Sequence, residues 1–190
     1  MKKVLSMFLV LMLCLASAAL AVPSKTTGDL ITIEATAANG GTFEIRAVKS
    51  TDADYAARIA TCNAEIAKLK AAASAVEYFG EVKDKNGNPV DLAAVLGTTD
   101  VKVNEFCAVI AHGYETSMGE VTLKIAFATP YAAGEQVVVL FGIVGANGVE
   151  WTAYTGIGQE DGGIVLVEGI APETVLAIQE GEALMAVASK

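Results

Sequence analysis

The chain has 190 residues, 53% of them hydrophobic, with 22 Asp+Glu against 13 Lys+Arg and a formal charge of −9. That acidity, with no basic cluster anywhere, excludes a nucleic-acid or anionic-membrane surface built on electrostatics. A single histidine excludes sites that need two imidazoles, and aromatics at 6% leave few platforms for stacking.

Met1-Lys-Lys3, an apolar run from Val4 to Ala16 broken only by Ser6, and Ala19-Leu-Ala21 have the form of a secretory signal peptide, residues 1–21, cleaved before Val22. The run is too short to span a bilayer comfortably. Cys14 follows Leu13 rather than the small residue that lipid attachment wants, so it belongs to the discarded peptide. Cleavage would take away Lys2 and Lys3 but no acid, leaving eleven basic residues against 22 acids and a formal charge of −11. The expected product is secreted, extracellular or at the cell surface, with no stable membrane insertion. Cys62 and Cys107 remain in a compartment that permits a disulfide, yet a chain of this size buries a sufficient core without one; two buried free thiols are expected, a mutual disulfide being the alternative.

Residues 24–100 read as an α+β domain. Two β-rich runs flank Asn39-Gly40-Gly41, which predicts a hairpin over 30–48, because both central residues accept positive φ. Ser50-Thr-Asp52 is a capping cluster, and residues 53–79 hold neither Gly nor Pro. Apolar residues there recur at spacings of 4 and 3 from Tyr55 through Cys62 to Val76, predicting one long helix ended by Gly80. Asp84 to Asp91 places oxygen ligands at alternate positions, as a calcium loop would. Its sixth position is Pro89 and its twelfth Val95, where a Gly and a bidentate Glu are needed, so the stretch reads as a turn at Asn86-Gly87 with Asn88 capping a short helix that begins at Pro89.

From Val101 the pattern turns to β. Strands are predicted over 101–112, 119–128, 136–144, 149–157, 163–168 and 183–189, with a helix running from Pro172 to Gly181. Val121 to Phe127 alternates apolar and polar, the mark of one covered face. Val137 to Phe141 is apolar throughout and must lie centrally, covered on both faces. Short strands with regular turn signals predict an antiparallel β-sandwich of immunoglobulin-like type over residues 101–190.

Val22-Pro-Ser-Lys-Thr26, Val103-Asn-Glu-Phe106 and the run Phe127-Ala-Thr-Pro-Tyr131…Gly134…Val137-Val-Val-Leu-Phe-Gly142 resemble exported proteins of anaerobic Gram-positive bacteria with no assigned activity. The resemblance implies an extracellular location and transfers no site residues.

No catalytic constellation stands out. His112 would have to work with Ser74, Ser117 or Cys107, none of which sits in a nucleophile motif such as Gly-x-Ser-x-Gly. Gly40-Gly41 and Gly162-Gly163 fall in turns rather than ahead of helices and cradle no phosphate, so no cofactor and no metal is expected. Trp151 and Tyr154 have opposite parity on one strand, so one is expected in the core and the other outside. With Tyr131 or Tyr114 near it, Tyr154 would make a shallow platform for an extracellular protein or a glycan. The function these features favour is a secreted, non-catalytic binding or structural module at the bacterial surface; the alternative is a small secreted hydrolase working through paired carboxylates on polysaccharide or peptide.

Overall fold

The computed structural model describes residues 28–127, 130–160 and 163–190. The expected signal peptide, Ala128 at the end of one predicted strand, and Asp161-Gly162 lie outside them. Strands β1 (Thr32–Ala37), β2 (Glu44–Ala47), β3 (Val82–Lys83), β4 (Lys102–His112), β5 (Val121–Ala126), β6 (Gln136–Gly145), β7 (Gly148–Gly158), β8 (Ile164–Ile170) and β9 (Ala183–Ser189) combine with four helices. These are α1 (Ala56–Ala71), α2 (Ala75–Phe79), α3 (Leu92–Leu96) and α4 (Pro172–Glu180).

The protein is α+β and mostly antiparallel, as expected. All nine strands belong to one sheet, in the order β1-β5-β8-β7-β6-β9-β4-β2, with β3 added in parallel to β7. The sheet curls until β1 and β2 lie against each other without a ladder between them, a nearly closed barrel where two face-to-face sheets were predicted. Strands β1, β2 and β3, from residues 24–100, pair with β5, β4 and β7. The division at residue 101 therefore separates neither sheets nor cores.

The predicted hairpin over 30–48 is corrected by the same pairing. Ala38 N and Asn39 N bond to Glu120 O and Met118 O at 2.8 and 2.9 Å, so the turn is tied to the approach to β5 and its two strands find partners on opposite sides of the seam. β6 lies between β7 and β9, and its Val137 to Gly142 segment is buried throughout. One face of the sheet encloses Val109, Leu123, Val139, Phe141 and Met185, to which α4 adds Val175 and Ile178. The other carries Phe106, Leu140, Trp151 and Leu184 beneath Cys62 and Leu69 of α1, Phe79 of α2 and Leu96 of α3. Cys62 and Cys107 form no disulfide and are both buried.

The predicted helix over 53–79 is two helices. Ser74 Oγ accepts from Glu77 N at 3.0 Å while Glu77 Oε2 accepts from Ala73 N at 2.9 Å, a reciprocal cap that starts α2 afresh after three non-helical residues. Glu65, nearly buried on α1, ties the pieces together by accepting from Lys68 Nζ at 2.6 Å and from Tyr78 Oη at 3.0 Å. The short helix predicted from Pro89 also moves: Val90 N bonds to Val82 O, so Pro89 lies alongside β3, and Asp91 rather than Asn88 caps α3 by accepting from Ala93 N and Ala94 N.

Candidate functional site

The four aromatic candidates for a platform do not form one. Trp151, Tyr154, Tyr131 and Tyr114 are 4%, 6%, 3% and 2% exposed. The opposite parity of Trp151 and Tyr154 holds, but β7 is covered on both faces: Trp151 enters the helix-covered core and Tyr154 the barrel interior. Tyr131 packs edge-on against Phe127 with ring centroids 5.6 Å apart, and Tyr114 likewise against Phe43 at 5.4 Å. Burial raises the phenol pKa of all three tyrosines. His112 is exposed, with Nε2 3.2 Å from Tyr55 Oη, and Ser74 is committed to its cap.

A groove of about 430 Å³ opens instead where β3 and its following turn face β6, β7 and α4. β8 pairs with only the last residues of β7, Gly156 to Gly158, while the opposite half of β7 pairs with β3 at Trp151 and Thr152. The split between β3 and β8 leaves α4 reachable from outside. Phe141 and Ile143 of β6, with Ala171 and Ala177 beside and on α4, give the groove apolar walls; Thr152 and Thr174 add hydroxyls. Lys83, Asp84, Lys85, Glu150 and Glu173 carry its charge.

The turn after β3 is built by Asp84, whose carboxylate accepts from Asn86 N and Asn88 N at 2.8 Å and from Asn88 Nδ2 at 3.0 Å. Those donors, the Asn88 amide first, hold the carboxyl below its ordinary pKa and keep it ionised. Gly87 takes φ +83°, a conformation that a side chain would strain, which lets the turn close. Lys85 fastens the turn to the far side of the split, its Nζ 2.7 Å from Glu120 Oε1 and 3.2 Å from Gly169 O. Beneath, Tyr154 Oη lies 2.8 Å from Thr174 Oγ1 and accepts from Ala171 N at 3.2 Å, which positions the start of α4. A notch of about 300 Å³ adjoins the groove and shares Lys83, Glu150 and Thr152 with it; Phe79, Glu81 and Trp151 form its other side.

None of these groove residues was singled out from the sequence as a site. The one signal touching them was the Asp84 to Asp91 stretch, which reads as a turn and the start of a short helix once a calcium loop is set aside. Among the described residues no group of three or more His, Cys, Asp and Glu could hold a metal ion, and no helix is long and apolar enough to cross a membrane. Fold and groove together define an α+β protein with a nearly closed, helix-backed sheet and one wall split to expose a mixed-charge groove. Comparison with protein-family models, with curated proteins and with solved structures returns no match.

Proposed function

We propose that this protein is a secreted, non-catalytic binding module working at or near the bacterial cell surface, with the groove between β3, β7 and α4 as its ligand site. The observation that carries the reading is the groove's make-up: a concave surface where the apolar faces of Phe141, Ile143, Ala171 and Ala177 meet converging hydroxyl and charged groups, a combination that suits binding. Its carboxylates argue against turnover. Paired-carboxylate hydrolysis needs one acid kept neutral by desolvation, whereas Glu150 and Glu173 are exposed and Asp84 is held ionised. No exposed aromatic lines the groove, which favours a protein or peptide segment over a glycan. Export rests on the Lys2-Lys3, apolar run and Ala19-Leu-Ala21 pattern, and secreted material should begin at Val22 by intact mass.

The test is a panel of short peptides and soluble polysaccharides, read by the fluorescence of the single tryptophan, Trp151, in the adjoining notch and by mass spectrometry of the ligand. Binding that leaves the ligand intact and is lost in Ala177→Phe, which fills the groove, supports the proposal. Cleavage that Glu150→Gln or Glu173→Gln abolishes would establish the hydrolase instead, and binding unaffected by Ala177→Phe would place the site elsewhere.

A further inference from the structure

We propose that the groove's ligand is a cationic, partly apolar segment: a peptide that presents Lys or Arg side chains beside aliphatic ones. This rests on the groove being the binding site and adds the chemistry of what it binds.

The charges around the groove do not cancel. Both lysines are answered locally, Lys85 by Glu120 at 2.7 Å and Lys83 by Glu81 at 3.5 Å. Glu150 and Glu173 are exposed and have no ion pair among the described residues. Asp84 is held ionised by neutral donors that leave its charge intact. With both lysines paired to acids outside the lining, Glu150 and Glu173 on β7 and α4 and Asp84 on the facing turn leave the groove net negative, and an anionic ligand would meet repulsion there. These carboxylates do not gather into a group that could hold a metal ion. Separated carboxylates suit separated organic cations, which need one partner each rather than a shared coordination shell. Between them the Phe141, Ile143 and Ala177 surfaces provide apolar contact for an aliphatic side chain or the stem of a lysine. The chain's formal charge of −9 adds a long-range field of the same sign, which speeds the approach of a cation.

Three eight-residue synthetic peptides test this: one alternating Lys and Leu, one alternating Glu and Leu, one alternating Lys and Ser. Binding is followed by calorimetry and Trp151 fluorescence at low and at moderate salt. The Lys/Leu peptide should bind, weaken with salt, and lose about 3- to 30-fold in affinity in Glu150→Gln/Glu173→Gln, two exposed pairs being removed. The control Glu34→Gln/Glu160→Gln removes the same charge beyond the opposite end of β7, where Glu34 faces Lys124, Lys124 faces Leu166 and Leu166 faces Ile157, and should leave affinity within about 2-fold, consistent with screening over that distance. The Lys/Ser peptide should bind more weakly and the Glu/Leu peptide not at all. Equal losses in the two double variants would mean diffuse attraction to an acidic protein and overturn the inference. If the Glu/Leu peptide binds and Ala177→Phe abolishes it, the groove remains the site but its ligand class is wrong. Failure of all three peptides would overturn the ligand class, while the wider panel still decides whether the groove binds anything.

Discussion

Replacing Gly142 by Ala should destabilise the protein, against the ordinary preference of strands for any side chain over glycine. Gly142 faces Trp151 across the β6–β7 ladder. A Cβ there would stand 2.6 and 2.7 Å from two carbons of the indole and 2.6 Å from a Val149 methyl. The indole cannot swing aside, because Phe79, Phe106 and Tyr78 meet it edge-on with centroids 5.0, 5.9 and 6.2 Å away. Overpacking of this kind costs about 1–3 kcal/mol. At roughly 2–4 °C per kcal/mol for a chain of this size, Tm should fall by between about 2 and 12 °C. Scanning calorimetry measures it, with Gly145→Ala as control: the Cβ there meets nothing closer than Gly148 O at 3.6 Å and should leave Tm unchanged or slightly raised. Trp151→Phe, which shrinks the ring, should recover part of the loss in the double variant. A Gly142→Ala protein as stable as the parent would refute the claim that Trp151 is packed on a bare backbone and held there from the other side.

Residues 101–190 expressed alone should be insoluble or molten, lacking β1, β2, β3 and the helices over Phe106 and Leu140; a soluble fragment with a cooperative melt would show that the shared sheet is dispensable. Both Cys62 and Cys107 should resist alkylation in the native protein and react under non-reducing denaturing conditions, since both are fully buried and burial pushes the Cys107 thiol up; a denatured monomer labelling at neither would reveal a disulfide. The hydrogen bond from Arg46 at 2.6 Å, with Lys49 N second, holds the Asp52 carboxyl below its ordinary pKa. Its contribution is therefore present above the unfolded carboxyl's value and disappears as pH falls through the lower, folded one. Asp52→Asn should melt below the parent at pH 7 and together with it at about pH 2; a gap persisting in acid would assign the effect to something other than the charge.

Strand existence was legible from side-chain alternation, and β4 to β9 lie within a few residues of the predicted bounds because period and turn residues are local properties. The centrality of β6 was legible too, since only a doubly covered strand tolerates Val137 to Phe141. Pairing was not. Asn39-Gly40 announces a turn, but β1 bonds to β5 rather than to β2, and the partners there lie 84 to 94 residues further on. The break in the long helix could have been read: Ser74 and Glu77 carry the capping-box spacing, which the apolar stripe running past them obscured. Reading Trp151 and Tyr154 as one in and one out assumed a sheet with a single covered face, whereas helices outside and a closed interior cover β7 twice. The groove had no sequence signature beyond the turn at Asn86-Gly87, because residues 83–87 reach 141–152 and 171–177 only when β3 docks in parallel on β7.

The position of β9 bears on how this chain reaches its fold. The last of the nine strands in chain order, Ala183 to Ser189, is not an edge but the strand wedged between β4 and β6, buried at every position. Until it arrives, β4 with its neighbour β2 and β6 with β7 are two ribbons with no backbone bridge on that side, each showing a raw hydrogen-bonding edge. Apart from β6–β7 and β7–β8 the ladders join strands distant in sequence, so loop closure must be met before they contribute, and refolding should belong to the millisecond-to-second regime of high contact order. A chain emerging amino end first would leave the edges of β4 and β6 unpaired, open to chaperones and proteases, until β9 follows them.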